Sequence, residues 1–222
     1  MKHYRLVAAA LGCSFASAVS PVQGAGGHYA VDDTELAPAG SCQVELWYAH
    51  FNAGNENATV APACNPTGNL ELMAELNRVR EAGELETELA LAAKTRLYEM
   101  EAAAVALSVA GVHSHDAGEF DALQVLMPVS VDMGRVTTHY NLGWQRERGE
   151  AHHMLWGVAA EIPLAQRVSL IGETYGSHRG GTRLGGGLRY SLDQLDIDLA
   201  WDGARHNATP GDGVIMGMAM RF

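Results

Sequence analysis

Beyond its first two dozen residues, the 222-residue chain has no apolar run approaching the roughly 18 residues that a spanning helix needs. A helical membrane protein is excluded. Basic residues are scarce, 15 lysines and arginines against 26 acidic residues for a net charge of −11, and no basic stripe suggests a nucleic-acid partner. Nothing resembles an internal linker, so a single folded domain is expected. The mean hydropathy of −0.06 looks soluble. A membrane β-barrel hides behind such a value, because its strands alternate lipid-facing apolar residues with lumen-facing polar ones and the mean stays near zero.

The first stretch has a basic start at Lys2 and Arg5, an apolar core from Leu6 to Ala18, and small residues through Val22-Gln23-Gly24. That is the layout of a secretory signal over residues 1–24, with cleavage after Gly24 or, alternatively, after Ala18. A lipoprotein box at Ala10-Leu11-Gly12-Cys13 is disfavoured, since the apolar run before the cysteine is short. Removal of the signal takes two basic residues and leaves 13 against 26 acidic ones. It also leaves two cysteines, Cys42 and Cys64, in an oxidising compartment.

What the chain does have is period-2 alternation. Leu70, Leu72, Ala74 and Leu76 alternate with Glu71, Met73, Glu75 and Asn77, and Leu85 to Leu97 alternates with Glu86, Glu88, Lys94 and Arg96. A helix would spread those charges around its circumference, whereas a strand puts them on one face. The pattern recurs around 136–146, 152–162, 182–191 and 195–202. The alanine-rich piece 101–112 fits period 2 but is equally helical in propensity. Turns at the Gly, Pro, Asn and Asp clusters divide the chain into about twelve strands, near 42–51, 58–64, 69–80, 84–98, 101–112, 120–131, 136–146, 152–162, 167–175, 182–191, 195–202 and 214–222. Short connections alternate with longer polar ones, as periplasmic turns alternate with external loops when both termini are periplasmic. The fold expected is an all-β, transmembrane, antiparallel up-and-down barrel over residues 41–222. Residues 25–40 form a periplasmic segment with the option of folding back as a plug.

The last residues, Val214, Met216, Met218, Met220 and Phe222, are apolar at every second position and end on phenylalanine. This resembles the terminal signal of outer-membrane proteins, and it implies the barrel-assembly machinery and outer-membrane lipids as partners. Trp144, Trp156 and Trp201 fall near external strand ends and Tyr190 and Phe222 near periplasmic ends, as aromatic girdles do. The opening His28 to Asp33, with Cys42-Gln43-Val44-Glu45-Leu46-Trp47, resembles uncharacterised outer-membrane transporters. Their layout is similar to that of barrels encoded beside aromatic-degradation pathways. The resemblance implies residence in the outer membrane of a Gram-negative bacterium and carries no catalytic motif.

As to chemistry, the lumen is expected to be lined by Glu71, Glu75, Glu86, Glu88, Lys94, Arg96, Glu161, Glu173, Arg183, Arg189, Asp196 and Asp198. Acidic groups exceed basic ones, so a water-filled lumen favours cations and passes small solutes. The other reading is that these charges pair and plug the barrel; Arg189 and Asp198 fall opposite each other across a turn at 193–194. No enzyme is expected: the His-x-Ser-Asn-Gly string of outer-membrane phospholipases is missing, and Asp116 beside His115 is only a faint echo of a barrel protease. Cofactors are not required, but histidines gather at the external end, and His113, His115, Asp116, His152 and His153 are candidate ligands for Zn, Cu or Ni if their loops converge. Finally, strands 42–51 and 55–64 around a turn near Gly54 put Cys42 opposite Cys64, and a disulfide is expected there.

Overall fold

The computed structural model describes residues 28–114, 119–205 and 211–222. Twelve strands run in chain order: β1 Ser41–Phe51, β2 Glu56–Asn65, β3 Leu70–Glu81, β4 Glu84–Met100, β5 Ala103–Ser114, β6 Glu119–Asp132, β7 Thr137–Glu147, β8 His153–Ala165, β9 Val168–Ser177, β10 Thr182–Ser191, β11 Leu195–Arg205 and β12 Gly213–Arg221. Each pairs antiparallel with its sequence neighbours, and β1 pairs with β12 to close the barrel. Closure leaves no open sheet edge, which is what lets a sheet stand in lipid without unsatisfied backbone groups. The seam ends on two bonds between Cys42 and Phe222, each 2.9 Å, one in each direction.

The strand periodicity decides which residues face where. Leu72, Leu76, Leu91, Leu142, Leu199 and Met216 are exposed on the outer face, and Glu71, Glu75, Glu88, Lys94, Arg183, Asp196 and Asp198, one position out of phase, are buried on the inner one. An outward apolar band with an inward polar wall is the arrangement of a transmembrane barrel. The alanine-rich piece is strand β5, because its ladder bonds to β4 and β6 override a propensity that on its own favours helix equally. Strand length varies from 9 residues in β12 to 17 in β4.

Two features depart from the sequence reading. The connection at 82–83 is a two-residue turn, as tight as those at the opposite end, rather than a longer external loop. The inner face is also not uniformly polar. Trp47, Ala49, Ala61, Ala63, Met73, Ala90, Ala110, Val112, Ala122 and Ile215 pack as one buried apolar cluster. A period-2 pattern separates two faces but does not make either of them polar, and alanines on the inner face leave room for Trp47 and Met73.

The cysteines form a disulfide, Cys42–Cys64, between directly paired residues of β1 and β2 with Cα atoms 4.0 Å apart. Both alternate with the buried Gln43 and Ala63, so the bridge lies on the outer face at the end where the termini emerge.

Candidate functional site

Residues 28–39 do not hang below the barrel; they run inside it. Entering beside Ser41, the segment meets the wall in sequence. The Ala37 amide donates to Glu71 Oε2 at 2.8 Å, and the Ala37 carbonyl accepts from Asn65 Nδ2 at 2.6 Å. The Thr34 amide donates to Ser130 Oγ at 3.1 Å, and its carbonyl accepts from Arg96 Nε at 3.3 Å. Asn141 Nδ2 donates to the Asp32 carbonyl at 2.8 Å, and the Ala30 and Val31 amides both donate to the Glu173 carboxylate, at 3.3 and 2.9 Å. The segment thus bonds to β2, β3, β4, β6, β7 and β9, and beyond them the Tyr29 ring lies 5.6 Å from the Arg189 guanidinium on β10. Proline and unevenly spaced polar side chains give it no period of its own. Most of its bonded backbone groups find partners on the wall, while the Glu35 amide donates within the segment, to Asp33 Oδ1 at 2.8 Å.

Lys94 is the centre of this arrangement. Its Nζ lies 2.9 Å from Asp32 and 3.4 Å from Asp33, with the lysine and Asp32 both almost wholly buried. Burial pushes the Asp32 carboxyl up to about 6, Lys94 opposing, and Glu35 is also raised, by the Asp33 charge and by burial. His28, buried against Asp198 at 3.8 Å, is pushed down to about 3 by burial and by the Arg189 guanidinium.

The wall has been left short where the segment presses on it. A Cβ at Gly157 would stand 2.8 Å from Val31 Cγ2, and one at Gly217 would stand 2.9 Å from His28 Nδ1. Gly157→Leu is therefore expected to loosen residues 28–33, seen as faster hydrogen exchange at the Ala30 and Val31 amides. Gly172→Leu, at an outward position with nothing within 4 Å, serves as the control and leaves exchange unchanged.

All twelve charged residues expected in the lumen lie on the inner face by strand register. Arg189 pairs with Asp198 at 2.9 Å directly across β10 and β11. Arg183 pairs with Asp202 at 2.9 Å, and Tyr175 donates to the same carboxylate at 2.8 Å; Arg221 pairs with Asp196. Arg96 binds Glu99 at 2.9 Å. The wall cations are thus held in ion pairs, and the carboxylates remain in excess. Glu45 is fully buried, and neither of its oxygens has a hydrogen-bond partner among the described residues. Toward the other end of the barrel, Asn77 donates to Glu88 at 3.1 Å, and Gln124 donates to Gln145, which donates to Glu147 at 2.6 Å.

The proposed metal ligands are not gathered. His115 and Asp116 lie outside the described residues. His113 is exposed on the outer face of β5, His152 stacks near Trp144 with ring centroids 6.4 Å apart, and His153 faces Glu147 at 3.5 Å. Among the described residues no group of three or more His, Cys, Asp or Glu is placed to hold a metal ion. What sequence reasoning missed is the pairing of Asp32 and Asp33 with Lys94. The only signal was an acidic pair in a segment otherwise without charge of that density.

A family model described as "Uncharacterised conserved protein UCP029691" matches residues 14–222. No curated protein matches the chain. Among solved structures, the chain is similar to the KdgM porin, with a TM-score of 0.68 at 5% identity over 81% of this chain and 99% of that one. The same values hold for the KdgM porin in complex with disordered oligogalacturonate. The NanC porin matches with a TM-score of 0.63 at 8% identity over 81% of this chain and 98% of that one. At such identities what is shared is the twelve-strand porin fold.

Proposed function

The chain belongs to the family of that model, and with its porin fold as the second premise we propose that it is a channel of the bacterial outer membrane for small solutes, exported through the signal at its start. The observation that carries the reading is a closed barrel with an apolar exterior and a charged interior, a build that lipid on one side and water on the other would select. Residues 28–39 close the lumen as a plug, and the excess of carboxylates over cations on the inner wall gives the opened pore a preference for small cations. The oligogalacturonate named with the KdgM porin is a polyanion; the acidic wall described above argues against carrying it over to this chain.

Planar-bilayer recording tests this. The intact chain is expected to conduct rarely. A form carrying a protease site inserted between Ala39 and Gly40, cut after folding, is expected to conduct in discrete steps with a reversal potential displaced toward that of the cation. If the cut form shows no conductance, the channel reading fails.

The pH dependence of closure follows from the seated groups. His28 is neutral when seated and returns toward its ordinary value of 6.5 when released. The seated form therefore binds fewer protons between about pH 6.5 and 3, and acidification through that window works against closure. Asp32 has the opposite sign: seated it titrates near 6, released near 3.8, so acidification through that window favours closure. Glu35, raised when seated, adds to Asp32. Between pH 7 and 5 the intact chain is expected to change little, whereas His28→Asn closes more firmly at pH 5. Open probability measured at both values checks the sign.

A further inference from the structure

The wall contacts of residues 30–37 fall almost entirely on main-chain atoms, and they alternate in kind. Acceptors meet amides, with Glu173 at Ala30 and Val31, Ser130 at Thr34 and Glu71 at Ala37. Donors meet carbonyls, with Asn141 at Asp32, Arg96 at Thr34 and Asn65 at Ala37. Six side chains on six different strands thus read the repeating N–H and C=O of a polypeptide, and Lys94 reads the side chains of Asp32 and Asp33. A sheet edge recognises an extended peptide in the same currency, through main-chain bonds that are indifferent to sequence.

We infer that this ring is a peptide-binding site and that the channel's substrate class is short peptides in irregular or extended form, which the resident segment imitates. The inference rests on the channel reading above. An oligosaccharide offers hydroxyls of both kinds at every ring and has no alternation for the ring to match. A free metal ion would leave the side-chain amides of Asn65 and Asn141 without the carbonyls they meet here. A peptide satisfies all six groups, and a carboxylate side chain in it meets Lys94. Buried Glu71 and half-buried Glu173 make the strongest of these demands, since a carboxylate that loses an N–H donor away from water is left with its desolvation uncompensated.

The test uses the full chain cut between residues 39 and 40 after folding, so that the barrel forms with its segment in place and the segment then exchanges with added ligand. Three probes are added to the conducting form: a peptide with the sequence of residues 28–39, a peptide of the same length that keeps only the two aspartates among alanine and serine, and the first peptide N-methylated at the positions of Val31 and Ala37. The first two are expected to block conductance at concentrations within about tenfold of each other. The methylated peptide, which keeps every side chain but loses two N–H bonds to carboxylates, is expected to need roughly tenfold to several hundredfold more. Block by the native sequence alone, or equal block by the methylated peptide, overturns main-chain recognition while leaving the channel standing. Block by a neutral oligosaccharide at the same concentration as the peptides overturns the substrate class. Absence of conductance before any probe is added fails the channel reading instead.

Discussion

Lys94→Ala is expected to unseat the N-terminal segment while the barrel still forms. The variant leaves Asp32 buried without its cation, and removing one partner of a buried ion pair costs about 3–5 kcal/mol, because the remaining charge keeps its desolvation penalty. The segment has other anchors, but each is a single hydrogen bond worth about 1–3 kcal/mol. Limited proteolysis within residues 28–40 should accelerate by two orders of magnitude or more, and the intact variant should conduct without being cut. Lys94→Met combined with Asp32→Asn and Asp33→Asn removes the charges together and is expected to recover much of the protection, as uncharged replacements of similar volume do for buried pairs. A Lys94→Ala protein as protected as the parent would show that the ion pair is incidental to seating.

Opening the disulfide is the second large effect, and it acts on the barrel rather than on the segment. Cys42 and Cys64 are separated by 22 residues, a loop whose closure in the unfolded chain is worth about 3 kcal/mol in the chain-entropy model. Cys42 also carries the bonds to Phe222 that end the seam, so the bridge staples β2 to the strand that closes the sheet on itself. Cys42→Ser with Cys64→Ser is expected to lower the unfolding midpoint in urea by the equivalent of that energy, and reductant should move the parent protein to the same midpoint. Labelling of both thiols in protein never exposed to reductant would remove the basis for the prediction.

The fold was legible because a barrel writes its geometry at period 2. Alternation in Leu70–Asn77 and Leu85–Leu97 assigned β3 and β4 their faces, and counting outward from a turn paired Arg189 with Asp198 and Cys42 with Cys64, as the register has them. The path of residues 28–39 was not legible. Sequence reading offered folding back as an option and left His28 in a periplasmic leader, whereas the structure buries it beside Asp198 and Gly217. An irregular segment bonded through its backbone leaves no side-chain period, and its wall partners lie 28 to 143 residues away in the chain. The inward Trp47 was missed for a related reason: alternation places a residue on a face, but how much space that face encloses depends on small residues of other strands, here Ala61, Ala63 and Ala90.

The unequal strands have a consequence for how the molecule stands in lipid. β4 and β6 have 17 and 14 residues, whereas β10 and β12, which stand across the barrel from them, have 10 and 9. At roughly 3.3 Å per residue and a tilt near 40°, the longest and shortest correspond to walls about 43 and 23 Å high. A bilayer has one thickness and this wall has two heights. Lipid beside β12 must thin, or the barrel must lean until its short side is covered. In either case the pore axis and the membrane normal part company, and a solute approaching the mouth meets a lip on one side and the plane of the membrane on the other.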